Sequence, residues 1–341
     1  MEKEGKMKQE LKVLVLNSKF LNLSIEDLKS NTNAPVEWHV EDSSNKENIR
    51  KLLPNFNILV STSMDISWKN EAKNLKAIFM PGAGWDKIAS EAVPDGCVVT
   101  NSYEHENGIA EYVLMSMIAL DRELINSHNN FKENKWDYWP ARFGPFKELT
   151  GRNITVIGLG RIGKKVLEMA NVFGMNNYAV EEFDVQDEVI SQLNLKDVVK
   201  SKDMTKLISI SDFVVICVPY IESTKGMIGE KEIYSMKNDA FIINPARGPI
   251  IKEEHLYHAL KSNRIAGACL DTWYTYPKGE IDNPEPSEYP FYNLKNVIIT
   301  PHICGSTYGT ASRRMKIVAE NINNFYNEKP LINMVDELSK I

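Results

Sequence analysis

The feature that most constrains this chain is Gly158-Leu159-Gly160-Arg161-Ile162-Gly163, a G-x-G-x-x-G spacing. It joins an apolar run, NITVIGLG (153–160), to a helical one closed by Gly174, RIGKKVLEMANVFG (161–174). Glycines fall at such spacing by chance, and the pattern gains meaning only where a strand enters it and a helix leaves it. Both conditions are met. The first glycine permits a tight turn, the second lets backbone approach a pyrophosphate, and the third lets the helix pack closely on the strand. The helix N-terminus then offers free N–H groups and a positive dipole end to phosphates. A dinucleotide is the expected ligand, with Gly158, Gly160, Arg161, Ile162 and Gly163 around its phosphates.

The flanking pattern agrees. LKVLVLN (11–17), NILVST (57–62), LKAIFM (75–80) and CVVTN (97–101) read as four strands, with helical SIEDLKSN and SNKENIRKLL between them. NITVIGLG, NNYAVEEF (176–183), SDFVVICVP (211–219), DAFIINP (239–245), IAGACLD (265–271) and NVIITP (296–301) read as six more. Short apolar strands alternating with helices imply parallel sheets covered on both faces. The expected fold is α/β, with two doubly wound parallel-sheet domains. GIAEYVLMSMIALDRELINSHNNFKEN (108–134) reads as one long helix, buried on most sides or packed between two subunits, and STYGTASRRMKIVAENINNFYNEK (306–329) as another.

Composition sets the class. A length of 341 residues suggests two domains. Forty Lys+Arg against 46 Asp+Glu leave a net charge of −6 with no basic cluster, which argues against nucleic acid. No apolar stretch approaches the roughly 20 residues of a membrane span, and the start, MEKEGKMKQE, lacks a signal-peptide core. A cytoplasmic protein is expected. The four cysteines form no C-x-x-C pair, so neither a metal site nor a disulfide framework is expected.

Cofactor choice is legible at the end of NNYAVEEF. Glu181 and Glu182 follow Gly163 by 18 and 19 residues. An acidic side chain there accepts hydrogen bonds from the adenosine ribose and repels a 2′-phosphate. No Lys or Arg occurs in the next ten residues. NAD is favoured over NADP, with Glu181 in the better register. Two further strand ends carry unusual residues: Arg247 in INPARG (243–248) and His302 in TPHICG (300–305). Carboxyl ends of parallel strands are where such sheets bind ligands. Arginine can hold a carboxylate by two parallel hydrogen bonds, and histidine can exchange a proton with a hydroxyl becoming a carbonyl.

Together with PGAGWDKI (81–88), NGIAEYVLM (107–115), GRNITVIGLGRIG (151–163), SDFVVICVPYIESTKGMIGEKEIYSMKNDAFIINPARG (211–248) and RIAGACLD (264–271), these segments resemble the D-isomer-specific 2-hydroxyacid dehydrogenase family over about residues 50–336. The resemblance implies that Arg247 clamps the substrate carboxylate and that His302 is the acid/base. It implies that the amides of Ala83 and Gly84 receive the other carboxylate oxygen and that Asn107 faces the cleft. Asp271 would hold the nicotinamide carboxamide. Val218, Pro219 and Thr224 would line the adenine and ribose side, Pro245 and Ala246 would lie beside the nicotinamide, and Gly305 would close the cofactor side. It further implies a Rossmann NAD-binding domain, 102–303, inserted in a flavodoxin-like substrate domain, 1–101 and 304–341, and a homodimer through the cofactor domain. The implied activity is NAD-dependent interconversion of a D-2-hydroxy acid and its 2-oxo acid. The alternatives are a formate-dehydrogenase-like activity and an NAD(H)-sensing binding protein of the corepressor type.

One position departs from the family. Five residues after Asp271 the family carries Glu or Gln, which in its carboxylate form raises the pKa of the histidine; here it is Tyr276, and Glu280 stands four further on. Tyr276 is expected to partner His302 as a neutral group, which moves the activity optimum to lower pH. LLPNFNILVSTSMDISW (52–68) holds no cation for a phosphorylated substrate. Trp85, Tyr138, Trp139, Trp273, Tyr274 and Tyr276 are expected to form an aromatic rim for a small or apolar acid.

Overall fold

The first strand, β1 (Leu11–Asn17), shows how the sheets are built: Val13, Leu14 and Val15 are all fully buried. A strand that is apolar on both faces needs cover on both. The computed structural model describes residues 9–17, 24–85, 87–277 and 282–339. It divides into two compact units, Met1–Glu104 with Ser306–Ile341, and His105–Gly305.

In the first unit β1, β2 (Val36–Asp42), β3 (Ile58–Val60), β4 (Ala77–Phe79) and β5 (Val98–Thr100) form a parallel sheet in the order β2-β1-β3-β4-β5. Successive side chains leave a strand on opposite faces, and the core divides accordingly. Leu14, Leu16, Leu59 and Ile78 pack with Ile49 and Trp68 on one side. Val13, Val15, Val60 and Phe79 pack on the other against Met315, Val318 and Ile322 of the helix Tyr308–Tyr326. The fifth strand of this sheet, β2, has no apolar run. VEWHVED is an edge strand of alternating, half-exposed residues.

The second unit holds β6 (Asn153–Ile157), β7 (Asn176–Val180), β8 (Leu195–Val199), β9 (Phe213–Ile216), β10 (Phe241–Asn244), β11 (Gly267–Leu270) and β12 (Val297–Ile299). Their order is β12-β11-β10-β9-β6-β7-β8, and every pair is parallel. This sheet has seven strands where the apolar runs suggested six. The addition, β8, is the polar edge LKDVV. Strand order reverses between β6 and β9, which makes their carboxyl ends the switch point at which such sheets take ligands.

The segment expected as one long helix is two, Glu106–Asp121 and Leu124–Lys132, broken where Glu123 adopts φ +49°. Nor is the first buried all round. Val113, Leu114 and Met117 enter the core with Val166 and Leu167 of the helix Arg161–Val172, whereas Met115 and Ile118 remain 48% and 39% exposed. Among the described residues no helix is long and apolar enough to cross a membrane.

Gly267 opens β11, where a Cβ would lie 2.4 Å from the Asn296 carbonyl oxygen. Gly267→Ala should therefore lower stability by about 1–3 kcal/mol, read as a fall in the urea midpoint with an unchanged slope.

Candidate active site

The glycine turn occupies the switch point. Gly158 has φ +101°, and a Cβ there would meet the Cys217 backbone at 2.9 Å. A Cβ on Gly163 would lie 2.0 Å from the Gly158 carbonyl oxygen, so the helix Arg161–Val172 could not seat on β6. Gly160 is different: nothing lies within 4 Å of its Cβ position. Two glycines are thus demanded by packing, and the third borders open space beside the helix N-terminus, where a pyrophosphate would approach. Arg161 is exposed and pairs with Glu106 at 4.0 Å, while Ile162 packs on the core.

Glu181 follows the last residue of β7 with its carboxylate turned to this loop. Oε2 accepts the Leu159 N–H at 2.7 Å and Oε1 the Phe183 N–H at 3.2 Å. Each oxygen retains a lone pair for a ribose hydroxyl. Glu182 turns away and accepts the Ser201 N–H; the Ser201 hydroxyl, and after it that N–H, hold its carboxyl below the usual range. The residues therefore fit a dinucleotide. One cation reaches this end that a ten-residue window could not reveal. Lys200, at the end of β8, donates to the Glu182 carbonyl at 2.8 Å and pairs with Asp184 at 3.0 Å. On the far side of the turn, Thr224 Oγ1 donates to the Pro219 carbonyl at 2.6 Å and accepts the Ile221 N–H at 2.9 Å. It shapes the Val218–Pro219 segment. Burial pushes the Cys217 thiol there up to about 12.

Arg247, Asp271 and His302 follow the ends of β10, β11 and β12, three neighbours in the sheet. The Arg247 turn is set by Asn244, which is buried: its Oδ1 accepts the Ala246 N–H at 3.1 Å and its Nδ2 donates to the Arg247 carbonyl at 2.9 Å. Pro245 is buried beside it and Ala246 half-buried. Gly248 lets this turn meet Trp273, whose backbone would lie 2.6 Å from a Cβ.

Asp271 is fully buried. Oδ1 accepts from the Thr300 hydroxyl at 2.6 Å and from the Ile303 N–H at 2.8 Å; Oδ2 accepts the Cys304 N–H at 2.9 Å. The side chain expected at the carboxamide thus also organises the loop that carries His302, leaving one Oδ2 lone pair. His302, exposed, has φ +60°, a left-handed conformation that costs a non-glycine residue about 1–2 kcal/mol. Trp273 Nε1 donates to the Thr300 carbonyl at 2.9 Å and braces the same loop.

Tyr276 meets His302 ring to ring, with centroids 5.5 Å apart and planes tilted by 52°. Its hydroxyl accepts the Trp273 N–H at 3.1 Å. Burial raises its pKa, and the Trp273 N–H and, after it, the Arg247 charge partly offset this. Glu280, the distant alternative, lies outside the described residues. Three of the aromatics expected at a rim, Trp273, Tyr274 and Tyr138, are engaged in contacts within the second unit. Trp273 is buried against Phe291, and the Tyr274 hydroxyl donates to the Ile251 carbonyl. Tyr138 meets Phe143 with ring centroids 4.8 Å apart and planes tilted by 33°.

Asn107 is exposed in the first turn of the helix Glu106–Asp121. Gly305 is half-buried near Ile109. In the first unit, Asn101 Nδ2 donates to the Ala83 carbonyl at 2.8 Å. The carbonyl and the following N–H of a trans peptide point in opposite directions, so this bond also fixes the Gly84 amide.

Two outcomes follow from these polar contacts. Asp271→Asn turns an amide toward backbone N–H groups and should cost about 3 kcal/mol, measured by urea unfolding. Burial raises the hydroxyls of Tyr112, Tyr274 and Tyr276. Above the unfolded value, about 10, the native state then binds more protons than the unfolded one. The stability they contribute is complete below that pH and is lost as pH rises through their folded values. Urea midpoints at pH 9 and 11 should differ in that sense, with the 295-nm tyrosinate signal growing as the protein unfolds.

Residues 114–304 match the family profile described as D-isomer specific 2-hydroxyacid dehydrogenase, NAD binding domain. A D-3-phosphoglycerate dehydrogenase of Archaeoglobus fulgidus is 32% identical over 88% of this chain and 55% of its own, so the chain spans about half the length of that relative. A glyoxylate reductase of Thermococcus gammatolerans is 31% identical over 79% of this chain and 78% of its own. The NAD-complexed structure of a D-isomer specific 2-hydroxyacid dehydrogenase from Lactobacillus delbrueckii ssp. bulgaricus shares the fold, with a TM-score of 0.78 at 22% identity over 95% of this chain and all of that one. The glycine turn and Glu181 therefore lie in an NAD-binding domain, and the chain is a member of the D-isomer specific 2-hydroxyacid dehydrogenase family.

Proposed function

We propose that the protein interconverts a D-2-hydroxy acid and its 2-oxo acid with NAD, Arg247 holding the carboxylate and His302 exchanging the hydroxyl proton. The observation that carries this reading is the setting of Arg247, Asp271 and His302 after three adjacent strands, with a buried carboxylate fixing the histidine loop. NAD, when bound, supplies or accepts the hydride. In reduction Arg247 orients the acid and polarises its carbonyl, and protonated His302 donates to the oxygen as it gains charge. In oxidation the neutral imidazole accepts that proton. Ala83 and Gly84 take the second carboxylate oxygen, and Asn107 is a further polar contact. The unit formed by 1–104 and 306–341 serves as the substrate domain. Val218, Pro219, Thr224, Pro245, Ala246 and Gly305 complete the cofactor's surroundings.

The cation-poor segment 52–68 favours an unphosphorylated acid. The reading also carries a cytoplasmic setting and a homodimer. Exposed apolar groups along 115–143, among them Met115, Leu124, Phe131 and Trp136, support the homodimer.

NADH consumption across a panel of 2-oxo acids tests the activity. An unphosphorylated acid should serve best; phosphohydroxypyruvate as the best substrate would overturn the substrate assignment, and NADH binding without turnover would overturn the reaction. His302→Gln should lower kcat by about 10²–10⁴-fold. Tyr276→Glu places a carboxylate beside the imidazole, so the protonated form should persist to higher pH and the alkaline limb of the reduction profile should move up; Tyr276→Phe with an unaltered profile would remove Tyr276 from the mechanism. NADH should bind more tightly than NADPH, and Glu181→Ala should narrow that gap in a fluorescence titration. Light scattering should give twice the chain mass.

A further inference from the structure

The helix Glu106–Asp121 carries a half-buried tyrosine whose hydroxyl meets the histidine loop. Tyr112 Oη lies 3.3 Å from Cys269 Sγ and makes a hydrogen bond with Thr300 Oγ1. A buried hydroxyl is unfavourable unless bonded, and phenylalanine would fill the same space without that cost.

The direction of the bonds follows from proton counting. Thr300 has one hydroxyl proton, and it goes to the Asp271 carboxylate. Thr300 Oγ1 can therefore only accept from Tyr112, and the tyrosine proton is committed to that bond. The result is a directed chain from Tyr112 to Thr300 to Asp271. Asp271 in turn receives the Ile303 and Cys304 amides, one on each oxygen. These contacts bracket His302 on both sides, and the residue they bracket is the one held at φ +60°. A single hydrogen bond and the left-handed strain are of comparable size, so each link in the chain matters to whether the loop keeps this conformation.

We propose that Tyr112 is a positioning residue for the histidine loop: its hydroxyl orders Thr300 against Asp271 and so holds residues 300–304 in the conformation that presents His302. The inference rests on reading His302 as the acid/base. Tyr112 does not touch the reacting atoms and acts only through Thr300.

The intact chain with bound NADH provides the test. Tyr112→Phe should lower kcat about tenfold through misplacement of the proton-exchanging group, while the KM for the 2-oxo acid and the affinity for NADH stay within about twofold. Amide hydrogen exchange in the 299–305 peptide should speed up. Thr300→Ser keeps the hydroxyl and should retain turnover, whereas Thr300→Val should lose it, and Tyr112→Phe should then subtract nothing further. An unchanged kcat in Tyr112→Phe, unchanged exchange, or additive losses in the double variant would each overturn the inference. His302→Gln separates it from the functional reading. If that variant keeps wild-type turnover, the acid/base assignment fails, and the exchange measurement alone decides whether Tyr112 orders the loop.

Discussion

A single buried carboxylate carries the geometry of the candidate site. Asp271 follows the last residue of β11, between the arginine turn and the histidine loop, and three of its lone pairs are taken by donors from Thr300, Ile303 and Cys304. A buried charge is tolerable only where donors surround it, and these donors come from the segment that must adopt an unfavourable backbone conformation. The cost of burying the charge and the cost of the left-handed histidine are met by the same contacts. Around this centre the polar scaffold is local: Asn244 shapes the arginine turn, Trp273 braces Thr300, and Gly248 lets the two pieces of chain approach.

Much of this was legible in the sequence because it depends on residues whose chemistry is distinctive. Glycines at 158 and 163 are required by close approach, and their spacing announces it. An arginine and a histidine just after apolar runs stand out, since strand ends in a parallel sheet converge. The interior strands β1, β6, β9 and β10 are nearly continuous apolar segments, so burial on both faces marks them. The edge strands β2 and β8 have one solvated side and polar composition, and no apolar run distinguishes them from loops.

Other features were not legible for a related reason. Asn244, Asn101, Thr300 and Tyr112 act by holding backbone or one another, and in sequence such residues look like any others. Lys200 lies near Glu182 only because β8 returns alongside β7, a proximity set by topology rather than by separation along the chain. Similarly, nothing in the apolar stretch 112–120 marks the break at Arg122–Glu123, where Glu123 adopts a left-handed conformation. Tyr276 was singled out as a departure, and its ring does meet the imidazole, but the backbone N–H that engages its hydroxyl was visible only in three dimensions.

The bond from Leu159 to Glu181 has a consequence for how such a domain can change its cofactor. The carboxylate that would discriminate between ribose and ribose phosphate is also a structural acceptor for the glycine turn. Replacing it with a side chain that has no acceptor, such as an aliphatic or a lysine, would remove the negative charge and, in the same step, release the Leu159 amide of the glycine turn. If Glu181 sets the cofactor preference as proposed, that preference and the order of the glycine turn are tied to one side chain. A lineage moving toward a phosphorylated dinucleotide would therefore need to keep an acceptor for Leu159, either in a neutral oxygen-bearing side chain at position 181 or through a second substitution.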